Sequence, residues 1–127
     1  MSTSVKAVKI TTDNKVSVVE LPSWSYQAQD EAIGADCTEI VKTQRMMELF
    51  KQEVVMLVDE SGLVKKRDVN LVASFLYGYD KHGHPICGDV LLAVQEGPEI
   101  FPVDNPERLA VFLKQRFPLL ELEMKLK

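Results

Sequence analysis

Two cysteines, one tryptophan and no repeated glycine motif are what this 127-residue chain has little of, and each scarcity removes a class of protein. Cys37 and Cys87 do not form a CxxC, so a redox dithiol motif and a small disulfide scaffold are both excluded. A chain of this length buries about two-thirds of its unfolded surface and folds without a staple. Two reduced thiols in an intracellular, cytoplasmic protein are the expectation. Neither G-x-x-x-x-G-K nor G-x-G-x-x-G occurs, which removes the common phosphate loops and the dinucleotide fingerprint. No apolar run approaches the ~20 residues needed to span a bilayer, and Met1–Lys9 lacks the apolar stretch of a signal peptide. A membrane role is not expected.

A basic field is also missing. Net charge is −4 and the isoelectric point about 5.2, which disfavours duplex nucleic acid as a partner, because affinity there comes from neutralising phosphates. Lys65-Lys66-Arg67 is the basic run, and a charge run in a turn most simply reads as solvated surface.

What is present is ordinary globular material: 46% hydrophobic and 27% charged residues. Val5–Ile10 and Val16–Leu21 are β-rich runs separated by a polar Thr-Thr-Asp-Asn-Lys turn, and so predict a hairpin. Pro22 ends the second strand, Ser23 or Ser25 caps a short helix running to Ile33, and Gly34 stops it. Residues 37–43 predict a strand with two mixed faces, suited to a sheet edge. Met46, Met47, Leu49 and Phe50 fill core, either as one helical turn or as a packed loop.

Val54–Val58 is the strongest strand, followed by an Asp59-Glu60-Ser61-Gly62 turn and a return strand starting at Leu63-Val64. Val69, Val72, Ala73 and Leu76 keep helical spacing between an Asp68 cap and a Gly78 stop. Asp80–Pro85 reads as an exposed loop, and Ile86–Gln95 as a central strand buried on both faces. Ile100–Val103 adds a short strand. Asn105-Pro106-Glu107 opens a helix reaching Phe117, through an amide cap, a proline at the first helical position and an acid at the positive dipole end. The tail alternates apolar and charged residues from Leu120 to Lys127, the period of a half-buried strand. It either closes an edge of its own sheet or pairs with a second copy, which makes a homo-oligomer an expectation. The fold class is therefore α+β. A single antiparallel or mixed sheet of five to seven strands carries two or three helices, with one domain over residues 1–118 and a strand-like tail over 119–127.

No set of residues meets the requirements of a catalytic site. His82, His84 and Cys87 give H-x-H-x-x-C, which is not a common zinc spacing, so neither a metal nor another cofactor is expected. Cys87 with His84 or His82 as base would need hydrogen-bond reach and an orienting third group, which spacing alone does not supply. Asp59, Glu60 and Asp104 are more simply turn and helix-start residues.

Several short patterns resemble the DUF 3846 family of short bacterial and phage proteins. They are Ala32-Ile33-Gly34-Ala35 leading into Thr38–Val41, then Val54–Gly62 with its D-E-x-G turn. Asn70, Ala73 and Leu76-Tyr77-Gly78 follow, and then Ile86-Cys87-Gly88-Asp89-Val90-Leu91-Leu92. The resemblance covers roughly residues 5–103. Where the family tends to carry Pro-Asn-Arg, this chain has Val69-Asn70-Leu71, and the family arginine is absent. The resemblance implies a small α+β domain in a phage or mobile-element setting and assigns no activity. The expected function is a non-enzymatic binding protein for a small, nucleotide-like anionic ligand or a host protein, with counter-defence as one such role. Lys65, Lys66, Arg67, Asn70 and Tyr77 are the candidate ligand residues. Assembly through the tail and a thiol enzyme are the alternatives.

Overall fold

A computed structural model describes residues 4–62 and 64–117, together with the backbone of 121–124. Its organising element is β4 (Val54–Asp59), buried along its whole length between β3 (Thr38–Val41) and β5 (Val90–Glu96). The hairpin of β1 (Val5–Ile10) and β2 (Lys15–Leu21) joins the other side of β5 through β1. The order is β3-β4-β5-β1-β2-β7, where β7 is Glu121–Met124. A seventh strand, β6 (Glu99–Pro102), folds back on the end of β5. Since β4 already occupies one side of Ala93 and Val94, β6 lies on the side shared with β1. Every pairing is antiparallel except β2 with β7.

The two-residue period of the strands sorts their side chains into two cores. Val8, Ile10, Val18, Met56 and Leu92 face one way, against Met46, Leu76 and Leu113. These come from α2 (Gln44–Phe50), α3 (Leu71–Tyr77) and α5 (Pro106–Arg116). Ala7, Leu21, Val55, Leu57 and Leu91 face the other way, under Ala28 and Ile33 of α1 (Tyr26–Ile33). Fully burying an aliphatic side chain of this kind stabilises the fold by about 1.5–3 kcal/mol. Having helices on both faces is why β4 and β5 read as unbroken apolar runs.

The α+β class and the sheet size match the sequence expectation. Helices number five among the described residues, because the Met46–Phe50 segment forms α2 and part of the expected loop closes a single turn, α4 (Tyr79–His82). Ser25 caps α1 by accepting from the Ala28 N–H, and Gly34 ends it in the left-handed region. Asn105 caps α5 with Pro106 in its first turn.

Three local expectations need correction. Val64 lies in a turn rather than a return strand, because both sides of β4 are taken by β3 and β5; Leu63 lies outside the described residues. The cap of α3 is Asn70, not Asp68. Val69 bridges Cys87 and the Asp68 carbonyl accepts from the Gly88 N–H at 2.8 Å, so residues 68–69 are held extended. The same bridge delays β5, which begins at Val90 rather than Ile86. The tail pairs with its own sheet: Glu121–Met124 lies parallel to Lys15–Val18. Residues 118–120 and 125–127, and the side chains from 118 onward, lie outside the described residues.

Candidate functional site

Five of the sequence-marked residues separate into two places. Lys65, Arg67 and Asn70 belong to the crossover between β4 and α3, whereas Tyr77 ends α3 beside a cavity. Lys66 lies in the same crossover, exposed and with a left-handed backbone.

The crossover is organised by Asp59, whose side chain is 1% exposed. Its Oδ1 accepts from the Ser61 N–H at 2.9 Å, closing the turn. Its Oδ2 lies 3.0 Å from Lys65 Nζ and 2.9 Å from Arg67 Nε. Both contacts are ion pairs without the alignment of a hydrogen bond. Burial pushes the Asp59 carboxyl upward, but the Ser61 N–H and the two cations outweigh it and hold it below its ordinary value. Lys65 also pairs with Asp36 at 3.4 Å, and its ammonium is held above its ordinary value mainly by its contact with Asp59. Arg67 donates to the Gly34 carbonyl, tying the crossover to the end of α1. Both cations are thus engaged by groups of this chain.

Asn70 is fully buried and bonded on every side. Its Oδ1 accepts from Ala73 N–H, while its Nδ2 donates to the Ile10 and Gly88 carbonyls, each at 3.0 Å. One side chain therefore joins β1, the segment before β5 and the start of α3. Ser74 adds a second link, accepting from Ile86 N–H at 2.9 Å. Asp89, one residue beyond Gly88, pairs with Lys9 at 3.6 Å and accepts from Thr12 N–H. These short patterns hold the sheet's end together.

Tyr77 opens onto a cavity of about 310 Å³ walled by Lys42, Thr43, Arg45, Lys81 and His82. The lining contains three cations and a histidine but no carboxylate. Arg45 is held in place from behind: its Nη1 donates to the Phe75 carbonyl at 2.7 Å, Nη2 meets Asp80 at 3.1 Å, and its guanidinium lies 4.7 Å over the Phe75 ring. Lys42 leans on Glu53 at 3.2 Å. Thr43 caps α2 and donates to the Leu76 carbonyl, bringing α2 against the end of α3. The Tyr77 ring stacks on His82 with centroids 4.4 Å apart, and its hydroxyl reaches His84 Nε2 at 3.1 Å. His82 Nδ1 donates to the Gly78 carbonyl, leaving Nε2 as the acceptor in the neutral ring. Sequence patterns single out Tyr77 as a ligand residue but not Arg45, Lys42, Lys81 and Thr43. Their convergence depends on α2 packing against α3, and sequence spacing carries no signal for it.

The histidine–thiol alternatives find no support in the geometry. His84 bonds to Tyr77 and to the Pro85 carbonyl. Cys87 is buried, and burial pushes its thiol upward, away from the nucleophilic form. Among the described residues no group of three or more His, Cys, Asp or Glu side chains is placed to hold a metal. No helix among them is long and apolar enough to cross a membrane.

No family model and no curated protein matches the chain. Among solved structures it is similar to the crystal structure of the small RNA methyltransferase HEN1, with a TM-score of 0.56 and 17% identity. The likeness covers 88% of this chain but 16% of that one, so it describes a fold shared with a fraction of a much longer protein.

Proposed function

We propose that this chain is a non-enzymatic binding protein that takes a small anionic, nucleotide-like ligand in the Tyr77 cavity. The setting is the phage or mobile-element one implied by the resemblance to DUF 3846. The observation that carries the reading is the wall of Lys42, Arg45, Lys81 and His82 without a carboxylate, in a chain whose net charge is −4. A cavity of about 310 Å³ lies at the low end of the range for small-molecule sites. Arg45 arrives already oriented by Asp80 and Phe75, which lowers the ordering cost of binding an anion. Lys81 has no ion-pair partner among the described residues and supplies the uncompensated charge. Lys65 and Arg67, by contrast, are already neutralised by Asp59. Small RNA, which HEN1 is named for modifying, fits poorly with the acidic balance of this chain.

Titration of isotope-labelled protein with AMP and with inorganic phosphate tests the reading. Saturable amide shifts confined to residues 42–45 and 77–82 are expected. They should weaken at least tenfold in a Lys81→Glu, His82→Ala variant. Absence of shifts in those segments, or shifts indifferent to the double substitution, overturns it.

A second reading, assembly on a partner protein or a second copy, is favoured by one observation. β7 ends the strand order, with β2 on one side and no strand on the other among the described residues. Deleting residues 119–127 and weighing the native protein separates the readings, since oligomer loss with AMP binding retained would assign the tail to assembly.

A further inference from the structure

Away from the Tyr77 cavity, the C-terminal end of α2 and the first half of α5 enclose a larger hollow of about 440 Å³. Leu49, Phe50, Val103, Leu109 and Phe112 give it an apolar lining. Phe50 and Phe112 form a tilted pair with centroids 5.8 Å apart, so part of its wall is aromatic. Three charged side chains also line it: Lys51, Arg108 and Asp104. None of the three has an ion-pair partner among the described residues, and together they leave one positive charge in excess.

Lys51 adds a separate observation. It closes α2 in the left-handed region at φ 58°, with its backbone N–H on the Met47 carbonyl at 2.8 Å. Glycine takes this conformation without steric cost and is the usual residue there, so a lysine is held against backbone preference. The same residue is part of the lining of the hollow.

We infer that this hollow is a second binding site, independent of the Tyr77 cavity, for an amphipathic monoanion: an apolar chain carrying one carboxylate. The chain lies between Phe50, Leu109 and Phe112, and the carboxylate meets Lys51 and Arg108. An apolar lining with a few convergent polar groups is the usual make-up of a small-molecule site. The single excess charge matches a monoanion rather than a phosphate dianion.

Decanoate is the probe and 1-decanol its neutral counterpart, each titrated into the isotope-labelled full chain. Saturable shifts in residues 49–52 and 103–112 are expected for decanoate, with decanol binding at least fivefold more weakly. Lys51→Gly should weaken decanoate at least fivefold while leaving the thermal midpoint equal or higher, because it removes the charge and relieves the backbone. Arg108→Gln, exposed on α5, should weaken it similarly without unfolding. Equal affinity for decanoate and decanol overturns the inference, as does an unchanged affinity when Lys51→Gly and Arg108→Gln are combined. Shifts confined to residues 42–45 and 77–82, or no saturable shift at all, overturn it too, and AMP binding at Tyr77 is unaffected by either result.

Discussion

A Cβ placed on Gly62 would sit 2.4 Å from the Cys87 carbonyl oxygen, so the turn after β4 lies directly against the backbone that leads into β5. Two segments twenty-five residues apart touch here without a side chain between them. The contact explains why the turn that begins at Asp59 ends in glycine.

Gly62→Ala is therefore expected to destabilise the fold by about 1–3 kcal/mol, the usual cost of overpacking against backbone that cannot yield. Urea unfolding of the two proteins measures it. Gly83→Ala is the control: its φ of 87° strains an alanine, but no atom lies within 4 Å of the added carbon, so the cost there is backbone alone.

Asn70→Ala removes a helix cap and strands the Ile10 and Gly88 carbonyls in the interior. A loss of about 2–4 kcal/mol is expected from the cap and the unpaired acceptors together. Asn70→Asp keeps the cap acceptor but not the donors, and should recover little of the loss. Comparing the urea midpoints of both variants separates the capping contribution from the two donated bonds.

Asp59 gives the stability a defined pH dependence. Its folded carboxyl is held below the ordinary value of 3.8, so the folded state favours the ionised form. The stabilisation is fully present above that ordinary value and is lost as the pH falls through it towards the folded value. Asp59→Asn should cost about 1–3 kcal/mol near neutrality, discounted from a fully buried pair because Lys65 and Arg67 are each about a third exposed. The variant's urea midpoint should also fall less steeply than the wild type's between about pH 5 and pH 3. Parallel curves would mean that Asp59 does not carry the acid sensitivity.

The thiols should differ in how they resist modification. Cys37 is exposed, but its hydrogen bond to Glu60 and that carboxylate's charge push its thiol upward. It should react with a disulfide reagent more slowly than a free thiol, and Glu60→Gln should accelerate it severalfold. Cys87 should stay unreactive until the protein unfolds. A fast second thiol in the native state would contradict its buried position.

Local chemistry was legible in the sequence wherever a short stretch of chain decides its own conformation. The Asn105 cap with Pro106, the Ser25 and Gly34 boundaries of α1 and the β1–β2 hairpin depend on bonds within a few residues, and the structure agrees with them. The unbroken apolar runs likewise announced β4 as a strand and β5 as a central strand covered on both faces. Tertiary structure decided what distant partners control. Asn70 displaced Asp68 as the cap because Val69 is tied to Cys87, eighteen residues on, and Lys65 and Arg67 turned inward because Asp59 is buried between them. Tyr77 met Arg45 and Lys42 only because α2 and α3 pack on the same face of the sheet. Conformational preference and hydrophobic period act over a few residues and so are written locally. Burial and the partners of a charge are properties of the assembled fold, which no window of sequence contains.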